Sequence, residues 1–212
     1  MKNKFALICV VASGLLATSS FAQIFAVHGS TAAPGATLGP YAMTAFALDP
    51  NPIGTPVNGV ASPLGGSVLF SSPQGVRAIG SGWATWSHSY TGNVYTDYQT
   101  TSLTLTLPTG TSAFYFYIEP DPFSDVSFDF GSGSVSFSEI VNGLGAAEYI
   151  GFYGLNGSTI DTISITGDTD FAIGEFGIAA GPDGNPVPEP STYGLIAAAA
   201  LCGLVAVRRY RR

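Results

Sequence analysis

The chain has 212 residues, enough for one domain with tails or for two small domains. Hydrophobic residues make up 46%, aromatics 12% and charged residues only 10%, against about 25% charged in an ordinary globular chain. That apolar content excludes a disordered chain, and 27 glycines with so few charged helix formers exclude a helical bundle. Between residues 23 and 187, Arg77 stands alone against thirteen acids, a net charge of −12. This balance opposes nucleic acid and anionic lipid as partners, since both ask for a basic face. The two cysteines, Cys9 and Cys202, lie in apolar terminal segments, so the body holds no disulfide, zinc cluster or thiol nucleophile.

The first segment reads as an address. Lys2 and Lys4 give a positive start, Phe5 to Ala17 is an apolar run, and Thr18 to Ala22 is small and polar. Ser20 and Ala22 put small residues at −3 and −1 of a cut, so residues 1–22 are expected to be a secretory signal peptide with a mature start near Gln23.

The body, residues 23–186, reads as strands. Ile24 to about Gly66 is rich in Gly, Pro and Ala and predicts loops, with one strand over Tyr41–Leu48. From Ser67 the expected strands come quickly: Val68–Phe70, Val76–Ile79, Trp83–Ser89, Val94–Tyr98 and Ser102–Leu107. Ala113–Glu119, Asp125–Phe130, Ser134–Ile140, Ala147–Tyr153, Thr159–Thr166 and Phe171–Ile178 follow. Turn signals such as Ser72-Pro73, Gly80-Ser81-Gly82 and Asn142-Gly143 separate them. Short strands at roughly 8–12-residue spacing predict an all-β fold, an antiparallel β-sandwich of jelly-roll type. Alternation assigns Phe114, Phe116 and Ile118 to one face of their strand and Tyr115, Tyr117 and Glu119 to the other. Val126, Phe128 and Phe130 likewise point inward.

The last segment, residues 187–212, has three parts. Val187-Pro188-Glu189-Pro190-Ser191-Thr192 is polar and proline-bracketed, an apolar helix is expected over about 192–207, and Arg208, Arg209, Arg211 and Arg212 stand in the basic tail 208–212. The apolar run of about 16 residues makes a helix of about 24 Å, which snorkelling arginines extend to a single membrane span. The terminal arginines hold that end in the cytoplasm and place the body outside, the orientation the signal peptide also demands. This order of motifs resembles the PEP-CTERM sorting domain. The resemblance implies an exported protein whose tail is processed by a membrane-embedded exosortase, with Pro188, Glu189 and Pro190 as the recognised residues. It also implies an exopolysaccharide or biofilm setting. Thr85 to Tyr95, Phe114 to Pro120 and Phe171 to Phe176 resemble bodies that accompany such tails, which supplies no ligand.

Catalytic patterns are sparse. The body has two histidines, His28 and His88, and no lysine. It lacks a Gly-x-Ser-x-Gly elbow, a His-Glu-x-x-His pair and a phosphate-cradling glycine loop. No catalytic residue is assigned and no enzyme activity is expected. Two rows are candidate carbohydrate contacts: Tyr115 and Tyr117 with Glu119, and Trp86, His88 and Tyr90. Exposed, such aromatics stack on sugar rings beside a carboxylate that accepts hydroxyl hydrogen bonds. Alternatively, one row covers a second layer of the sandwich and the other lies under loops. Asp168 and Asp170, and Asp121 with Asp125, place oxygens in turns where calcium binds, and no other cofactor is expected. Arg77 is expected to pair with one of the many acids.

The sequence therefore points to an exported, transiently membrane-anchored protein of the cell surface or extracellular matrix. Its expected partners are an exosortase-type enzyme, the inner membrane through the C-terminal helix, and extracellular polysaccharide. A carbohydrate-binding module for exopolysaccharide is the alternative reading, and a secreted glycan hydrolase is the second.

Overall fold

The computed structural model describes residues 22–181. The expected signal peptide, the sorting motif Pro188-Glu189-Pro190, the membrane helix and the arginine cluster lie outside the described residues. Within them are fifteen strands and no helix. In chain order these are β1 Gln23–Ser30, β2 Thr37–Leu38, β3 Tyr41–Ala42, β4 Thr44–Ala45, β5 Pro56–Ala61, β6 Ser67–Ile79, β7 Gly82–Trp83 and β8 Asn93–Thr96. They continue as β9 Ser102–Thr106, β10 Thr111–Pro120, β11 Asp125–Ser132, β12 Val135–Asn142, β13 Glu148–Leu155, β14 Thr162–Gly167 and β15 Phe171–Ala180.

Thirteen strands share one sheet in the order β1-β13-β10-β15-β8-β6-β9-β14-β11-β12, with β4 on β15 and with β5 and β7 on β6. The strands β2 and β3 form a separate ribbon. Pairing is antiparallel except for the short β6–β7 match. The sheet folds over at β8 and β6, so its halves face each other as a sandwich. Aromatic contacts cross the gap: Phe116 meets Phe130 at 6.2 Å, Phe128 meets Phe171 at 5.4 Å, and Phe137 meets Phe152 at 5.8 Å. Each such side chain contributes about 1.5–3 kcal/mol when buried. The far edges also meet, because His28 of β1 stacks on Phe137 of β12 at 4.1 Å and bonds the Glu139 carboxylate. Beside this seam, Glu148 is pushed up to about 7, first by burial and then by Glu139, with His28 opposing.

The alternation in β10 holds residue by residue. Phe114, Phe116 and Ile118 enter the core between the halves, while Tyr115 and Tyr117 enter a second apolar cluster on the outer face. That outer face is covered as well, so every residue of β10 is buried. Leu38, Tyr41, Met43, Trp83, Trp86 and Tyr90 form the cover. Glycines make room beneath it. A Cβ at Gly177 would lie 2.2 Å from the Tyr115 ring, and one at Gly151 would lie 2.7 Å from the Tyr149 ring.

Four local expectations are corrected. The Ile24–Gly66 stretch contains β1 and β5, edge elements whose burial does not alternate cleanly. Tyr41–Leu48 is two short strands and a loop, not one strand. Ser72-Pro73 is no turn but the middle of β6. Proline is tolerated there because the β5–β6 register jumps from Val57–Gln74 to Gly59–Leu69, which frees it from the ladder. Trp83–Ser89 leaves the sheet after Trp83, and His88 and Ser89 take positive φ values of 39° and 62°.

Candidate functional site

The first expected aromatic row is interior, and the second is interior at Trp86 and half-buried at His88 and Tyr90. Tyr117 and Glu119 are 0% exposed, and Tyr115 and Trp86 are also buried. Tyr115, Tyr117 and Glu119 lie under the cover, and Trp86 and Tyr90 are part of that cover, with His88 and Tyr90 half-buried. Their polar atoms face inward partners. The Tyr117 hydroxyl donates to the Ala32 carbonyl, and the Tyr90 hydroxyl donates to the Asn93 carbonyl at 3.1 Å. Burial pushes Tyr90 and Tyr115 up to about 12, with Glu175 adding to both.

Glu175 organises the His88 row. It takes a positive φ of 54° at a bulge where β15 slips against β10, between the Tyr115–Gly177 and Tyr117–Gly174 pairs. Its carboxylate meets His88 Nε2 at 2.9 Å and Trp86 Nε1 at 3.4 Å. His88 Nδ1 lies 2.9 Å from Ser87 Oγ and 3.2 Å from the Thr31 carbonyl. Burial raises the Glu175 carboxyl, against the hydrogen bond and charge of His88. Serine, histidine and glutamate are thus in contact, yet Ser87 is itself buried. The cluster pins the 83–92 loop onto the sheet.

Glu119 plays the same part at the other end of β10. Trp83 Nε1 donates to its Oε2 at 2.7 Å, and Thr85 Oγ1 and the Gly145 amide donate to Oε1 at 3.0 and 2.9 Å. Burial pushes this carboxyl up, while these donors and the Ala146 amide favour its charged form.

Above Glu119 the surface opens into a cleft of about 380 Å³, within the roughly 300–1,000 Å³ of small-ligand sites. Trp83 lies in its floor, and Tyr98 lines it from one loop and Asp121 and Phe123 from another. Phe123 is 63% exposed and Tyr98 is 40% exposed. Tyr98 has a positive φ of 59°, its ring stacks near Trp83 at 6.1 Å, and its hydroxyl donates to the Gly82 carbonyl. Arg77, expected from sequence to pair with an acid, forms no ion pair among the described residues and lies over the Tyr98 ring at 5.1 Å. The ion pairs among the described residues involve the two histidines, with Glu139 and Glu175. Trp83, Tyr98 and Phe123 were not singled out by sequence reasoning. The available signal was Phe123, a large apolar residue inside the turn Asp121-Pro122-Phe123-Ser124, where it has no core to enter.

The four aspartates of the calcium expectation do not converge. Asp121 and Asp170 are neighbours: the Asp121 amide donates to the Asp170 carbonyl at 3.0 Å, and burial followed by the Asp170 charge raises the Asp121 carboxyl. Asp125 instead accepts from the Asn142 amide at 2.7 Å. Among the described residues no group of three or more His, Cys, Asp or Glu is placed to hold a metal ion.

The described body is joined to a tail whose order of proline-bracketed motif, apolar run and arginines is matched, over residues 186–212, by the family described as PEP-CTERM protein-sorting motif. The tail is a PEP-CTERM sorting motif. A chain with a PEP-CTERM tail is exported and sorted by an exosortase. No curated protein matches the chain. A solved structure similar in part is the Clostridium thermocellum N-terminal endo-1,4-β-D-xylanase 10B, CBM22-1–GH10 modules complexed with xylohexaose. The identity is 13% and the TM-score 0.32, with 54% of this chain and 26% of that chain covered. This chain thus spans about a quarter of that enzyme's length, and at that TM-score the likeness carries no argument.

Proposed function

We propose that this is a non-enzymatic protein of the cell surface or extracellular matrix, displayed after exosortase processing in an exopolysaccharide or biofilm setting. The observation that carries the reading is the PEP-CTERM motif at 186–212. The body supports it, because the Glu119 and Glu175 carboxylates are engaged in holding loops. A glycan hydrolase needs two carboxyl groups facing one groove, about 5–9.5 Å apart. Glu119 and Asp121 both line the cleft, but Glu119 is buried and both of its oxygens accept from protein donors, so neither is offered to a glycosidic oxygen.

The proposed path has a cut near Gln23, transient anchoring by the helix over 192–207 with Arg208, Arg209, Arg211 and Arg212 as a cytoplasmic stop, and a second cut at the sorting motif. Replacing Pro188-Glu189-Pro190 with three alanines tests it. The variant is expected to stay uncut in the inner membrane. Recovery of the variant outside the cell at its normal size overturns the sorting role.

A further inference from the structure

The cleft above Trp83 has an unusual polarity. Every side-chain donor in its lining is already engaged within the protein. Trp83 Nε1 and Thr85 Oγ1 donate to Glu119, and the Tyr98 hydroxyl donates to the Gly82 carbonyl. The Asp121 amide is likewise engaged with the Asp170 carbonyl. What remains is an acceptor, the Asp121 carboxylate, which takes no hydrogen bond from the described residues, beside two exposed aromatic rings. The side chains of this cleft therefore favour a ligand that brings donors and an apolar face.

Charge narrows the class further. Anions are repelled by Asp121, by its neighbour Asp170 and by the acidic body. A quaternary or protonated amine would suit an aromatic cage, but the Arg77 guanidinium already sits 5.1 Å from the Tyr98 ring centre and opposes a second cation there. An uncharged polyol ring fits both constraints, since its C–H face stacks on aromatics and its hydroxyls donate to a carboxylate.

We propose that the Trp83–Tyr98–Phe123 cleft binds an uncharged saccharide, with a ring face against Phe123 and Tyr98 and hydroxyls donating to Asp121. The inference rests on the surface-display reading for where the ligand is met, and it names that protein's partner class. It differs from the sequence expectation in its contact residues: Tyr115, Tyr117, Trp86, His88 and Tyr90 lie outside the cleft, and Glu119 lines it with its oxygens taken up by protein donors.

The test is a titration of the purified exported protein with cellohexaose, mannohexaose and laminarihexaose to millimolar concentration, followed by tryptophan fluorescence. Trp83 lies in the cleft floor, whereas Trp86, the chain's other tryptophan, is buried in the cover. At least one of these neutral sugars is expected to give a saturable change. Phe123→Ala is expected to weaken it roughly tenfold or more, and Asp121→Asn to weaken it several-fold. Ile140→Ala, an exposed apolar change on β12, is expected to leave it unaltered. Phe123 and Asp121 sit at the surface, and unchanged near-ultraviolet circular dichroism confirms that the variants fold. The inference is overturned if none of the neutral hexasaccharides binds, if binding survives both cleft variants, or if an oligogalacturonate or tetramethylammonium binds there instead. A tail-cut, extracellular protein with no saccharide response refutes the cleft assignment and leaves the display reading standing. A responsive protein retained full length in the inner membrane does the reverse.

Discussion

Removing the Glu119 carboxylate separates a structural acid from a catalytic one. In Glu119→Gln the amide oxygen keeps Thr85 and the Gly145 amide, but the new NH₂ then faces Trp83 Nε1, which now donates at 2.7 Å. One buried N–H loses its acceptor, and a charge-assisted bond disappears, at a cost of about 2–4 kcal/mol. Glu119→Ala leaves Trp83 Nε1 and the Ala146 amide without their acceptor and removes one packed methylene with the carboxylate, so the expected loss is about 3–5 kcal/mol. That is a large share of the roughly 5–15 kcal/mol that holds a domain together. Urea unfolding of the purified protein, followed by Trp83 emission, reads both values. The reasoning is refuted if both variants lie within about 0.5 kcal/mol of the parent. A stable Glu119→Gln protein that loses a hydrolytic activity of the parent would make Glu119 catalytic and overturn the non-enzymatic reading.

Three further outcomes follow from the same geometry. Gly177→Ala puts a methyl group 2.2 Å from the Tyr115 ring; it is expected to destabilise by about 1–3 kcal/mol or more in thermal unfolding. Tyr117→Phe removes the hydroxyl that donates to the Ala32 carbonyl; a loss of about 1 kcal/mol is expected, with faster hydrogen exchange confined to residues near 31–43. Glu148 keeps its proton in the folded protein up to about pH 7, whereas its ordinary value is 4.5. Between those values the folded state holds more protons than the unfolded one, so stability falls as pH rises, by about 1–2 kcal/mol once solvent screening of this partly exposed group is discounted. Glu148→Gln is expected to flatten that slope in urea midpoints measured from pH 5 to pH 8.

The central strands were legible in the sequence because their two faces differ in residue type. Phe114, Phe116 and Ile118 against Tyr115, Tyr117 and Glu119 fix the faces of β10, and Phe128 and Phe130 do the same for β11. Local alternation does not reveal what lies above a face. The tyrosine row is buried because residues 31–43 and 83–92, distant in the chain, fold over it. Nor does alternation reveal the bulge that turns Glu175 toward His88, since that depends on a register slip between β10 and β15. Pro73 misled for a related reason: its effect on the strand was set by a bulge opposite β5. The cleft was illegible because Trp83 comes from the end of β7 and Tyr98 and Phe123 from two loops, and their proximity is a product of the sheet order. The tail was the most legible part, because a sorting signal is read as linear sequence.

The display account is tested most directly by the intact mass of the protein recovered from fractions of its native host. The account predicts an extracellular species that begins near Gln23 and ends near Pro188. A species in the inner membrane that still carries Arg208 to Arg212 would contradict it.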